Sequence, residues 1–301
     1  MQYMDLTSLK RRALEFGLFG RLDDAARQLR FAGDKRVTLK LANPNSEMGR
    51  LILQQPHPLI DPRSRMIVLY SAKSACTNVL IWFLQHLGHA DAARDYHGWP
   101  HQYRDQVYYQ SLLYRQAAAA RDLKTFTVVK VVRDPFKRAA SSFRHVVRHS
   151  VLRDGIARKL RDTQIEKHGL SFASFLDFLE ATDLTQCNPH YSLQHHAIEA
   201  KLPVKHLINV SKEDLFDRLN DVERDLGLTV TDLTQSPWIK KLEERHHQAD
   251  ADLGDAETVY RLRLTREQAL RGPWPSYDTL LTPTARERIA RLYATDIEAY
   301  F

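Results

Sequence analysis

The stretch "RMIVLYSAKSACTNVLIWFLQHL", residues 65–87, decides how this chain is read. Its first part, "RMIVLY" (65–70), is apolar and β-branched but too short for a helix, so it predicts a buried strand. From residue 77 onward, Val79, Leu80, Phe83, Leu84 and Leu87 recur at helical spacing. Between the two lies a polar turn, "SAKSACTN", that contains no glycine. A helix starting near Cys76 or Thr77 leaves several backbone N–H groups without intrahelical partners, aimed back at the strand end. Together with the helix dipole, these donors suit a doubly charged oxyanion. Lys73 adds a mobile positive charge, and Thr77 and Asn78 add side-chain donors. The turn is not a Walker A loop, which carries its lysine at the end and needs two glycines. Taken alone, the segment reads equally as a plain strand-to-helix turn with Thr77 as the helix cap.

The same pattern recurs downstream. "TFTVVKVV" (125–132) is a second strand, followed by "RDPF" and the helical run "KRAASSFRHVVRH". Arg133 thus stands at a strand end, where open α/β sheets bind ligands. Pro135 starts the helix, and Ser141 and Ser142 lie about two turns into it. An arginine fork fits a phosphate, and a serine hydroxyl adds a further donor. In isolation, Arg133 has the plainer reading of an ion-pair partner for Asp134. Strand, polar turn and helix occurring twice argue for βαβ units and a parallel sheet. "KHLINV" (205–210) is a third strand, followed by the helical run "SKEDLFDRLNDVERDLGL". Beyond residue 150 the chain is mostly helical, with Ser171 capping "SFASFLDFLEA" and Thr282–Pro283 opening the last helix. The expected fold is α/β, a central parallel sheet flanked by helices with a helix-rich C-terminal half. Residues 61–301 read as one domain, and residues 1–60 as a helical appendage packed on it.

Composition narrows the function classes. A net charge of +7 points to anionic ligands, but the lysines and arginines are spread along the chain without an aromatic-interleaved basic patch, which argues against nucleic acid. Two cysteines cannot build a disulfide framework and suit a reducing compartment. The N-terminus lacks the apolar core of a signal peptide, and no apolar run approaches membrane-spanning length, so a cytoplasmic protein is expected. Residues 5–32 have helical periodicity with Lys10, Arg11 and Arg12; they suit either a peripheral membrane contact or a solvated, packed helix.

Taken together, the two turns resemble the sulfotransferase superfamily that uses 3′-phosphoadenylyl sulfate (PAPS). The likeness is closest to carbohydrate sulfotransferases of the HNK-1 and chondroitin 4-O type. Their motifs read roughly P-K-x-G-C-T-N and R-D-P-F-x-R-x-x-S-x-[YF]; here they stand as "AKSACTN" and "RDPFKRAASSF". Weaker echoes are "NPHYSLQ" (188–194), "INVSKEDLFDRLNDVERDLGL" (208–228) and the terminal "YDTLLTPTARERIARLYATDIEAYF". The resemblance implies a P-loop-type sulfotransferase fold in which Lys73, Ser74, Ala75, Cys76, Thr77 and Asn78 hold the 5′-phosphosulfate. Arg133 and Ser141 would hold the 3′-phosphate. It implies sulfuryl transfer to a hydroxyl of a carbohydrate, glycolipid or small alcohol, with PAP as product and no metal. Two departures stand out: Ala72 replaces the usual proline and Ala75 the usual glycine. If residue 75 needs a positive φ, alanine costs roughly 1 kcal/mol or more there.

A general base must lie within hydrogen-bond reach of the acceptor hydroxyl, and histidine suits neutral pH. Among 14 histidines, those of "YHGWPHQY" are the first candidates, His101 ahead of His97, because this segment often lines the acceptor side in sulfotransferases. His145 and His190 come next. "ERHHQAD" (244–250) reads as a solvated helix rather than a metal site, and Cys76 as a small packing residue. Two rival readings stand. One is an atypical P-loop kinase with Asp134 on Mg²⁺; the other is a non-catalytic anion- or glycan-binding protein.

Overall fold

The computed structural model describes residues 47–52, 54–119, 122–244, 250–251 and 253–301. The N-terminal helix pattern and most of "ERHHQAD" lie outside the described residues.

Strands β1 (Leu59–Asp61), β2 (Met66–Tyr70), β3 (Thr127–Val132) and β4 (His206–Asn209) form one sheet in the order β1-β2-β3-β4. β2, β3 and β4 run parallel, and β1 is antiparallel to β2. Every residue of β2 is buried, as a parallel strand covered on both faces requires. The three strands read from sequence are therefore present and parallel. β1, lying at residues 59–61, straddles the boundary expected between appendage and domain.

Parallel pairing decides where the chemistry sits. Tyr70 is in register with Val131, and Val132 with Asn209, so the chain leaves all three strands at one edge. Residues 71–75, 133–134 and 210–214 come together there.

Around the sheet pack α1 (Cys76–His86), α2 (Ala90–His97), α3 (Pro100–Tyr103), α4 (Pro135–Arg148), α5 (Ser150–Leu160), α6 (Phe172–Glu180) and α7 (Leu215–Asp225). Near the C-terminus come α8 (Tyr277–Leu280), α9 (Pro283–Leu292) and α10 (Ala294–Tyr300). The caps fall where the sequence places them: Ser171 accepts from Ser174 N–H, and Thr282 from Ala285 N–H. One apolar cluster joins the sheet to α1 through residues such as Val68, Phe83 and Val129. A second lies beneath α4, α6 and α9, with Phe143, Phe175 and Ile289. Gly169, just before α6, lies against the backbone at Leu264: at φ 88°, a Cβ there would sit 2.2 Å from the Leu264 carbonyl oxygen.

The centre of β3 carries a charge. Lys130 is 1% exposed and pairs with Glu199 at 2.6 Å. It also donates to the Gln194 carbonyl, while Tyr300 hydroxyl donates to the other Glu199 oxygen at 2.6 Å. This pair ties the sheet to the segment before β4 and to the terminal helix α10.

Candidate active site

The turn between β2 and α1 bends without glycine by placing two ordinary residues in the left-handed region. Lys73 has φ 70° and Ala75 φ 55°. The low-strain alternative, a redrawn turn with negative φ at residue 75, is not what the chain adopts. Each such residue costs about 1–2 kcal/mol, so the conformation is held from outside. Ala75 also occupies the N-cap position of α1 and makes no side-chain cap, so the start of the helix is a natural place for an anion. Ala75→Gly is accordingly expected to be neutral or stabilising by up to about 1 kcal/mol, because strain relief offsets the added freedom of the unfolded chain. Thermal melting checks this; a clear loss of stability would mean that the turn stores no strain.

What holds the turn comes from three distant segments. Arg138, 1% exposed on α4, donates to the Ala72 carbonyl through Nε (3.1 Å). Its other nitrogens reach the Ser192 carbonyl (2.7 Å) and the Pro189 carbonyl (3.3 Å). Arg133 donates through Nη1 to the Lys73 carbonyl (3.0 Å). Gln194 is the junction. Its Oε1 accepts from Ser74 hydroxyl (3.0 Å) and from Arg133 N–H (2.9 Å), and its Nε2 donates to Arg133 carbonyl (2.9 Å). The Gln194 backbone is in turn fixed by Asp296, fully buried on α10, which accepts from the N–H groups of Gln194 and His195. The two turns read separately in the sequence thus form one hydrogen-bonded unit.

Most of the expected donor residues converge here. Lys73 is half-buried; burial, with Arg133 and Arg148 nearby, holds its pKa below the ordinary lysine value. Asp134 caps α4 by accepting from Lys137 N–H (2.8 Å), and its own N–H donates to Ser211 hydroxyl (3.0 Å). A carboxylate committed to a helix cap is poorly placed to hold Mg²⁺. Asn78 and Arg133 form the polar wall of an open cavity of about 400 Å³, and Ala75, Val210, Leu215 and Phe216 its apolar wall. Glu213 and Asp214, also on its rim, are engaged with the Asn209 N–H and as the cap of α7.

The histidines divide into two sets. His101 lies against the start of α1, its Nε2 3.0 Å from Thr77 Oγ1 and 3.9 Å from Cys76 Sγ. Arg104 Nη1 lies 3.0 Å from His101 Nδ1. A guanidinium can only donate, so Nδ1 accepts and Nε2 carries the hydrogen facing Thr77. His97 is exposed at the last turn of α2, and no hydrogen bond joins it to the turn. On the other side, His145 stacks on His190 with centroids 3.9 Å apart and meets His149 at 4.1 Å. Burial, then the Lys73 charge, pushes His190 down to about 4. Burial, then His190 and Lys73, pushes His145 down to about 2. Both are neutral near pH 7. His190 Nδ1 lies 2.8 Å from Asn188 Oδ1, an oxygen that also accepts His190 N–H at 3.0 Å. That amide oxygen fixes the hydrogen on Nδ1 and leaves the lone pair on Nε2.

Local reading of the sequence missed Arg138, Gln194, Asp296 and Asn188. Arg138 had a signal, since it is the second arginine of the R-D-P-F-x-R pattern. Gln194 and Asp296 act through contacts across 61 to 120 residues, which no local pattern reports, and Asn188 acts on His190 two positions away.

The two strand-turn-helix junctions meet at the C-terminal edge of a parallel sheet, the place where open α/β sheets bind ligands. The family model described as "Sulfotransferase family" matches residues 56–301, and the chain belongs to that family. No match was found among curated proteins or among solved structures.

Proposed function

We propose that this enzyme transfers the sulfuryl group of PAPS to a hydroxyl of a carbohydrate or glycolipid, as the HNK-1 and chondroitin 4-O type sulfotransferases do. The observation that carries the reading is the Gln194-centred junction, which joins the Lys73 turn to Arg133 in one rigid anion site. The residues present suit the donor. On this reading the turn N–H groups, Lys73 and Thr77 would hold the 5′-phosphosulfate and Arg133 and Ser141 the 3′-phosphate, while the apolar wall at Val210, Leu215 and Phe216 suits a flat base. When bound, the donor supplies an activated sulfuryl group whose bond to the 5′-phosphate oxygen breaks as a new S–O bond forms to the acceptor.

The chain's part is electrostatic and positional. Lys73 and the first-turn N–H groups stabilise the charge left on the bridging oxygen. His190 Nε2 accepts the acceptor's proton, with Asn188 holding the ring, a base-and-orienter arrangement. His101, with its hydrogen directed to Thr77, serves donor binding instead. A kinase reading is not favoured: the turn lacks both glycines, and Asp134 is occupied as a cap. The protein's place is proposed to be the cytoplasm, with any membrane contact made by residues 5–32. Among the described residues no helix is long and apolar enough to cross a membrane.

A labelled-sulfate transfer assay against glycans, glycolipids and small alcohols tests the acceptor class; transfer to none but small alcohols would overturn it. With an acceptor in hand, His190→Ala is expected to lower kcat roughly 10²–10⁴-fold at saturating donor. His101→Ala should chiefly weaken donor binding. Wild-type kcat in His190→Ala would place the base elsewhere.

A further inference from the structure

Tyr277 opens the short helix α8, more than 140 positions after Arg133, and stands at the head of the weak terminal echo, outside the two motifs that carry the donor reading. The fold nonetheless brings it to the second anion position. The Arg133 guanidinium lies over its ring at 5.6 Å, and the Arg144 guanidinium at 4.3 Å on the same aromatic group. Ser141 and Arg133, the two residues whose pattern marks them for the 3′-phosphate, both act electrostatically on the Tyr277 hydroxyl. Arg144 is itself anchored by Asp250 at 2.7 Å and by the Pro275 carbonyl, two residues before Tyr277, so the ring is clamped rather than loosely placed. Although burial alone would raise its pKa, the Ser141 contact and the two cations hold the phenol below the ordinary tyrosine value. A phenol in that setting is a stronger hydrogen-bond donor than a free one.

We infer that Tyr277 is a donor-binding residue whose hydroxyl completes the 3′-phosphate site with Arg133 and Ser141, and that it selects 3′-phosphorylated nucleotides over those bearing a 5′-phosphate alone. The inference rests on the donor reading above but assigns a residue which that reading does not require. The physical basis is the asymmetry of buried polar sites. A 3′-phosphate would give the hydroxyl and the guanidinium a charged acceptor that a ligand lacking the group cannot supply, so such a ligand binds less tightly.

The test is calorimetric titration of the full chain with PAP and with 5′-AMP, without divalent metal, for wild type, Tyr277→Phe and Tyr277→His. Phenylalanine keeps the ring between the two arginines and removes only the hydroxyl; histidine keeps a ring and restores a donor. The expected result is that wild type prefers PAP, and that Tyr277→Phe loses about 10- to 100-fold of that preference. The 5′-AMP affinity should stay within about twofold, and Tyr277→His should recover part of the preference. A Tyr277→Phe variant that keeps the full wild-type preference overturns the inference and leaves the donor reading intact. Equal weakening of both nucleotides also overturns it, because that marks a purely structural tyrosine. Wild type that fails to prefer PAP removes the donor reading itself.

Discussion

Lys73→Met is expected to lower kcat by roughly 10²–10³-fold, the usual loss when one preorganised charge-stabilising donor is removed from a transfer site. Several observations converge on this residue. Lys73 sits at φ 70° in a turn pinned by Arg133 at its own carbonyl and by Arg138 at the carbonyl before it. The chain accepts that strain at the residue proposed to meet the donor's 5′-phosphosulfate. The ammonium is also held among like charges, Arg133 and Arg148, with its pKa lowered first by burial. An incoming polyanion relieves that repulsion, and a bond that gathers negative charge as it breaks relieves it further. The loss should therefore appear in kcat more than in donor affinity. Single-turnover measurements at saturating donor separate the two; an unchanged rate of the chemical step would show that Lys73 only binds.

Lys130→Met is expected to cost about 3–5 kcal/mol of stability, because it leaves the Glu199 carboxylate buried without its partner. For a domain of this size that corresponds to a fall in Tm of roughly 10 °C. Lys130 lies in the middle of β3, surrounded by the sheet, and its ammonium also bonds the Gln194 carbonyl. The damage should thus spread to the site, since the same glutamine ties Ser74 to Arg133. Lys130→Met combined with Glu199→Leu should recover much of the stability, as apolar replacements of buried pairs commonly do. Melting curves decide it. If the single variant melts like wild type, the pair is not the clamp between β3, the Gln194 segment and α10.

The strands, their parallel order and both site turns were legible because they are local. Short β-branched runs, a polar turn and an amphipathic helix each leave a pattern within about 20 residues. Lys73, Thr77, Asn78 and Arg133 could be named from that pattern, with Ser141 beside Ser142, and the resemblance supplied the choice of Ser141 and the remaining turn residues. Identifying the residues that hold the turns in shape requires the three-dimensional structure. Gln194 and Asp296 act across the whole fold, and a glutamine in "NPHYSLQ" gives no local sign that it bridges two loops. The choice among histidines is similar. His101 was favoured for its position after α1, and it does reach Thr77, but its Nδ1 is taken by Arg104. His190 stood in the sequence only as a later candidate, and what the structure adds is Asn188 on its Nδ1 and the Lys73 charge beside it. Ala75 shows a subtler limit: sequence could name the strain that alanine would bear at positive φ, but not whether the turn would adopt it.

The central claim is that the Lys73 and Arg133 turns form one site for a nucleotide phosphorylated at both its 5′ and 3′ positions. Calorimetry of the wild-type chain with PAP, 5′-AMP and Mg-ATP, the first two in chelator, measures this directly. The account predicts metal-independent PAP binding at least about tenfold tighter than 5′-AMP, from the charged hydrogen bonds at Arg133 and Ser141. Binding of Mg-ATP with no preference for PAP over 5′-AMP would contradict it.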